Sequence, residues 1–203
     1  MSLPLRIIFD FSCPYCYIAW GYVQKLKEKM ILVDEWAGWE IHPDLPQDGR
    51  SIQEVVPEIQ LDENLQELNA LGAPVGIVLA NKLFVPNTRL ALQGLEFSRE
   101  YGKMQEWVAA VYKASFVLDK NIGHMNVLLE IADQIGLDTA AFQQALVNGH
   151  YLEILRKHDQ ECMEKRVEWV PTIFTGEEKV LEGAFTFEVF EKTIVALDQL
   201  RRI

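Results

Sequence analysis

Apolar residues come in short unbroken blocks near both ends of the chain and fall on a three-four spacing in between, so strands are expected outside and helices inside. Leu5 to Phe11, rich in Ile and Phe, reads as a buried strand, and Ser12-Cys13-Pro14 then opens a helix lasting to about Met30. Pro14 suits a first turn, where its missing N–H costs nothing and its φ is already helical. A second strand is predicted from Ile31 to about Ile41, ended by His42-Pro43. From Pro46 to Pro86 the periodicity loosens, and the scattered prolines predict loop and short helix, a candidate flap.

Beyond it, Asn87 or Thr88 can cap a helix running through Tyr101. Met104, Trp107, Val108, Val111, Tyr112, Ser115 and Phe116 then share the face of another, the clearest stripe in the chain. Val127, Leu128, Ile131, Ala132 and Ile135 make a third helix stopped by Gly136, Asp138 caps a fourth, and Tyr151 to about Arg166 forms a fifth. Val170 to Phe174 and Lys179 to Leu181 read as strands joined by a turn at Gly176, before a last helix from Phe187 to Arg201. The order is β-α-β, a helical block, then β-β-α.

Composition narrows the function classes. With 49% hydrophobic residues in a chain of 203 a real core can form, and disulfides are not needed to hold it. The formal charge of −11 repels phosphate backbones and anionic lipid, so neither nucleic acid nor membrane is an expected partner. The first ten residues carry no leader-like pattern, which sets the expectation of a cytoplasmic protein. In a reducing compartment three cysteines do not make a disulfide framework, and one Cys-x-x-Cys pair points to redox or metal chemistry.

That pair, Cys13 and Cys16, lies on the first turn after a buried strand, beside unpaired backbone N–H groups and the positive end of the helix dipole, where a thiolate is stabilised. Cys16, one turn on, is placed to resolve a mixed disulfide formed on Cys13. A zinc site lacks partners, because Cys162 and the histidines at 42, 124, 150 and 158 show no companion spacing, so no metal is expected. Two inert core cysteines are the other plain reading. Asp10, three residues before Cys13, is a candidate proton relay for Cys16 or simply a helix cap. Cys162 shares a face with Leu152 and Leu155 and reads as a buried, unreactive thiol.

The segment Asp10-Phe11-Ser12-Cys13-Pro14-Tyr15-Cys16-Tyr17, the central helical block, and Val170-Pro171-Thr172 before a hairpin together resemble the DsbA-type thioredoxin superfamily. Within it the chain is similar to the FrnE-like cytoplasmic branch, related to the 2-hydroxychromene-2-carboxylate isomerases. The resemblance implies an α/β thioredoxin fold with a large α-helical insertion between its two halves. Residues 1–45 and 167–203 would form the thioredoxin-like domain and 46–166 the insertion. It implies a thiol–disulfide oxidoreductase with Cys13 as exposed nucleophile, Cys16 as resolving thiol and Pro171 as a cis-proline facing them. Pro14, Tyr15, Trp169 and Val170 would meet the substrate, Val170 through its backbone.

The family commonly has glycines where this chain has Arg166 and Trp169. Trp169 could select aromatic or extended ligands or pack in the core. The expected partner is a protein or small-molecule thiol or disulfide, with no bound cofactor, glutathione open as a co-substrate, and a monomer or homodimer equally compatible. The rivals are a glutathione-dependent isomerase or kappa-type transferase, which uses a bound thiol and needs no resolving cysteine, and a non-enzymatic peptide-binding holdase.

Overall fold

A computed structural model describes residues 2–201; residues 1, 202 and 203, the outer ends of the two expected thioredoxin-like segments, lie outside the described residues. The chain's most apolar short block, Ile7-Ile8-Phe9, sits in the strand β1, Leu3–Phe9, and is fully buried. That follows from its position inside a four-stranded sheet, with a neighbour on either side. β2, Leu32–Gly38, pairs parallel to β1 with Ile7 opposite Trp36, and β5, Thr172–Thr175, pairs antiparallel on the other side with Ile7 opposite Ile173. β6, Glu178–Glu182, completes the order β2-β1-β5-β6. Gly176, at φ 58°, supplies the left-handed residue of the β5–β6 turn. The sheet is therefore mixed, as an α/β thioredoxin fold requires.

β1 lies two residues earlier than the sequence reading at both ends, and at two other strand boundaries the difference has a local chemical reason. β2 stops at Gly38 and not Ile41, because past Trp39 the backbone leaves the ladder and the Ile41 N–H is taken by the Asp10 carboxylate. β5 starts at Thr172 and not Val170, because Pro171 has no N–H to give.

α1, Pro14–Lys27, links the parallel strands, with Lys25 and Lys27 in its last turn against the negative dipole end. It packs against α9, Phe187–Leu200, through Tyr22, Phe187 and Phe190. The Thr186 hydroxyl caps α9 by accepting the Val189 N–H.

Between the halves of the sheet, the segment from Pro46 to Pro86 is more ordered than its composition suggests. A two-stranded ladder pairs β3, Arg50–Ser51, with β4, Phe84–Val85. Ser51 and Glu54 form a capping box on the single turn α2, Ile52–Val55. α3, Leu61–Gly72, lies on α1.

The helices α4 to α8 then span Arg89–Glu100, Met104–Phe116, Met125–Gln134, Thr139–Val147 and Leu152–Glu164. Asp138 caps α7 by accepting the Ala140 and Ala141 N–H groups, as its position suggested. α8 is tied to the sheet by Arg6 of β1, whose Nε donates to Glu161 at 2.7 Å, and by His158 Nδ1 donating to the Gly38 carbonyl.

Trp107 is the hinge pin of the helical block. It is fully buried, donates Nε1–H to the Ala91 carbonyl at 3.1 Å, and packs on Phe142 and against Gly94, where an added Cβ would fall 2.2 Å from the ring. Trp107→Ala is expected to cost about 3–5 kcal/mol of unfolding free energy in urea titrations, the usual range for emptying such a site. A loss below about 1 kcal/mol would show that the surrounding helices collapse into the space.

Candidate active site

β1 ends at Phe9, and the chain turns through Asp10, Phe11 and Ser12 into α1, with Cys13 at the N-cap in an extended conformation and no side chain capping the helix. The Cys13 N–H donates to the Asp10 carbonyl and the Cys16 N–H to the Cys13 carbonyl, each at 3.2 Å, which fixes both thiols on the first turn. Cys13 Sγ–H points at the Val170 carbonyl oxygen, 3.5 Å away, and the Val170–Pro171 peptide bond is cis. The topology alone brings these together: α1 begins where central β1 ends, and residues 170–171 lead into β5 alongside it.

All three cysteines are free thiols. Cys16 is fully buried, and Cys13 is the outer of the pair but only 7% exposed, a correction to the open nucleophile expected from the sequence. Burial pushes the Cys16 thiol well above its ordinary range, and the hydrogen bond and charge of Cys13 push it further. Cys16 is thus held protonated until something removes its proton.

Asp10 acts on that thiol through its backbone, which lowers it, and through its charge, which raises it. It is fully buried, accepts the Ser12 N–H on Oδ1 and the Ile41 N–H on Oδ2, each at 2.8 Å, and does not cap α1, so that reading of it is set aside. Burial raises it to about 6, with the Ser12 and Ile41 N–H groups holding it from going higher. Its charge in turn raises Cys16, so the two groups feel each other. Tyr112 of α5 donates its hydroxyl to the Asp10 carbonyl at 3.4 Å and is itself raised, first by burial and then by the charges of Cys16, Cys13 and Asp10. In the sequence Tyr112 is part of a helix stripe that is apolar except for its own hydroxyl and that of Ser115, and those hydroxyls were the available signal.

Tyr15 is half-buried beneath α3, where its hydroxyl meets the Asn64 side chain. Trp169 is 68% exposed, which removes the core reading of that residue. Its backbone is nonetheless fixed: the N–H groups of Glu168 and Trp169 donate to Glu182 of β6, and the Thr172 hydroxyl donates to the Trp169 carbonyl. Arg166, the other position where a glycine was expected, has φ 51°, the left-handed region a glycine enters without steric cost. Cys162 lies buried on α8, raised to about 12 by burial and by the charges of Glu161 and Asp159.

Beside the dithiol a cavity of about 70 Å³ is lined by Ser12, Pro14, Asn64, Lys82 and Phe116, among others. Lys82 had no sequence signal, lying in the stretch without periodicity. Among the described residues no three His, Cys, Asp or Glu side chains converge as metal ligands would, and no helix is long and apolar enough to cross a membrane.

Comparison with known proteins agrees with this architecture. The chain is 31% identical over 199 residues to the uncharacterised protein YwbO of Bacillus subtilis (strain 168), covering 96% of each. Among solved structures it superposes on a probable DsbA oxidoreductase, SCO1869 of Streptomyces coelicolor, with a TM-score of 0.83 at 19% identity, covering 96% of this chain and 89% of that one. A 2-hydroxychromene-2-carboxylate isomerase gives a TM-score of 0.78 at 20% identity over 98% of this chain and 97% of its own. The profile of the DSBA-like thioredoxin domain matches residues 5–195, through both halves of the sheet and everything inserted between them, and the chain belongs to that family.

Proposed function

We propose that this protein is a thiol–disulfide oxidoreductase working through a mixed disulfide on Cys13. The observation that carries the reading is the placement of the Cys13 sulfur between the Val170 carbonyl and a second, fully buried thiol on the same helical turn. In the reducing direction the Cys13 thiolate attacks one sulfur of a substrate disulfide; the substrate S–S bond breaks, the Cys13–substrate bond forms, and the first substrate thiolate leaves and takes up a proton. Cys16 then gives its proton to the Asp10 carboxylate and attacks Cys13 Sγ. The second substrate sulfur leaves as a thiolate and takes up a proton, and the Cys13–Cys16 disulfide remains. The reverse sequence oxidises a substrate dithiol, so two electrons and two protons move in either case and no bound cofactor is called for.

Val170 and Pro171 form the wall opposite the sulfurs, and an extended substrate lying along it would meet Trp169 next. An isomerase that employs a bound glutathione thiol has no use for a resolving cysteine, and the buried thiol beneath Cys13 favours exchange chemistry over it. Glutathione then serves as a co-substrate. The protein is proposed to work in the cytoplasm, as a monomer or homodimer.

The test is acceleration of thiol exchange in a disulfide-linked peptide at neutral pH. The protein should shorten the half-time at catalytic amounts, and a half-time equal to that with buffer alone would remove the assignment. Trp169→Gly is expected to lower kcat/KM about fivefold for peptides with an aromatic residue beside the disulfide, the roughly 1 kcal/mol of one aromatic contact. An unchanged preference would leave Trp169 without a part in selection.

A further inference from the structure

The helical block reaches the Asp10 carboxylate at the start of α4. Thr88 stands at the N-cap position there, where a threonine ordinarily turns its hydroxyl onto the free N–H groups of the helix, but its side chain makes no such bond. Asn87 takes over part of that duty, its Oδ1 accepting the Arg89 N–H at 3.1 Å. The Thr88 carbonyl accepts the Leu92 N–H at 2.9 Å, so its backbone belongs to the helix and its side chain is left for another use. Thr88 is 5% exposed, and its hydroxyl is turned to the Asp10 carboxylate. A buried hydroxyl needs a partner, and here the partner is a buried acid.

The residues on either side of Thr88 grip the segment that supplies the Ile41 N–H. Asn87 Nδ2 donates to the Leu45 carbonyl at 2.7 Å, and Arg89 donates through Nε to Glu40 at 2.8 Å and through Nη2 to the Pro43 carbonyl at 3.2 Å. Ile41, between these anchors, gives its N–H to Asp10 Oδ2. Three consecutive residues therefore hold the carboxylate twice, once through a hydroxyl and once through a backbone segment that they fix.

We propose that Thr88 is a positioning residue for the proton relay: its hydroxyl donates to the Asp10 carboxylate and favours the ionised form that accepts the Cys16 proton. This rests on the oxidoreductase reading and deepens it, by giving the helical block a part in the resolving step. Burial raises Asp10 to about 6, and the Ser12 and Ile41 N–H groups, the Thr88 hydroxyl and the Ser12 side chain hold it from going higher. The titratable groups around it are Cys13 and Cys16 of α1 and Tyr112 of α5. Cys16 and Tyr112 are both raised and stay neutral where Asp10 titrates, and Cys13 carries no charge while its sulfur is in the mixed disulfide. On the gripped segment Glu40 is paired with Arg89, and His42 is lowered by burial.

The experiment is titration of the Asp10 carboxyl carbon by NMR in the reduced wild type, Thr88→Val and Thr88→Ser, which reads the contact without any exchange reaction. Thr88→Val keeps the shape and removes the hydroxyl, and the Asp10 midpoint should rise by about one pH unit, the loss of one hydrogen bond to a charged group. Thr88→Ser should titrate with the wild type. The resolving step of Thr88→Val should then run about fivefold slower than wild type at pH 6 and match it above pH about 8, following the ionised fraction of Asp10. An unmoved midpoint in Thr88→Val, an equal shift in Thr88→Ser, or a shifted midpoint with the resolving limb unmoved would overturn the proposal. If Thr88→Val does not fold, the wild type decides: the Thr88 Cβ signal should titrate with the Asp10 midpoint, and a signal flat across it would overturn the contact. If the protein shows no exchange at all, the oxidoreductase reading falls, and the midpoint shift alone decides whether Thr88 holds Asp10.

Discussion

Cys13→Ser will slow disulfide exchange by at least about a thousandfold, because a hydroxyl at that position can neither attack a disulfide sulfur nor be attacked as a leaving group. Cys16→Ser will have a different outcome: Cys13 still attacks, but with no thiol beneath it the mixed disulfide persists. Mass spectrometry of that variant incubated with a disulfide-linked peptide should show one added peptide per chain, removed by reductant and absent from the Cys13→Ser, Cys16→Ser double variant. Cys162 is the internal control. Buried and raised to about 12, it should acquire no adduct, and adducts on it would mean that burial does not protect it as the fold implies.

Asp10→Asn is expected to slow the resolving step about a hundredfold at neutral pH, the lower part of the range for a positioned proton acceptor. The wild-type resolving rate should rise through pH about 6 as Asp10 ionises, and that limb should vanish in the variant. A profile unmoved by the substitution would end the relay role. Stability supplies a separate check with a definite sign. Asp10 titrates at about 6 in the fold against an ordinary value of 3.8, so between those values the folded protein holds a proton the unfolded chain has lost. Unfolding free energy therefore falls as pH rises from about 4 to 6 and is flat beyond, with a total cost on the order of 3 kcal/mol. Asn removes that slope. It also leaves either the Ser12 or the Ile41 N–H facing an amide NH₂, a penalty that does not depend on pH.

What the sequence disclosed and what it hid divide along the range of the interactions concerned. The first strand and α1 were legible because the Ile and Phe run and Pro14 act locally, and α5 and α7 because a stripe and an Asp138 cap do the same. The end of β2 was hidden: Ile41 looks like a strand residue, and only the folded chain reveals that its N–H belongs to Asp10. α3 carries Leu61, Leu65 and Leu68 at helical spacing, but its acidic residues, nearby prolines and a Gln60 N-cap making no side-chain bond blurred both pattern and start.

At the site, the Cys-Pro-Tyr-Cys motif and Val170-Pro171 announced themselves as motifs. The partial cover over Cys13, the exposure of Trp169, the approach of the Tyr112 hydroxyl and the seat of Lys82 over the rings of Phe84 and Phe116 are contacts between distant elements, which no local pattern encodes. Only the last of these lies in a stretch that lacked any periodicity at all.

The central claim is that Cys13 and Cys16 form a reversible redox couple, and equilibration of the protein in glutathione buffers of stepped poise, followed by alkylation and mass counting of both thiols, tests it most directly. The account predicts a two-electron transition in which Cys13 and Cys16 lose and regain their alkylation together while Cys162 stays a thiol throughout. Its midpoint would further separate a disulfide donor, near about −120 mV, from a reductase, near about −270 mV. Both thiols remaining alkylatable at every poise would contradict the claim.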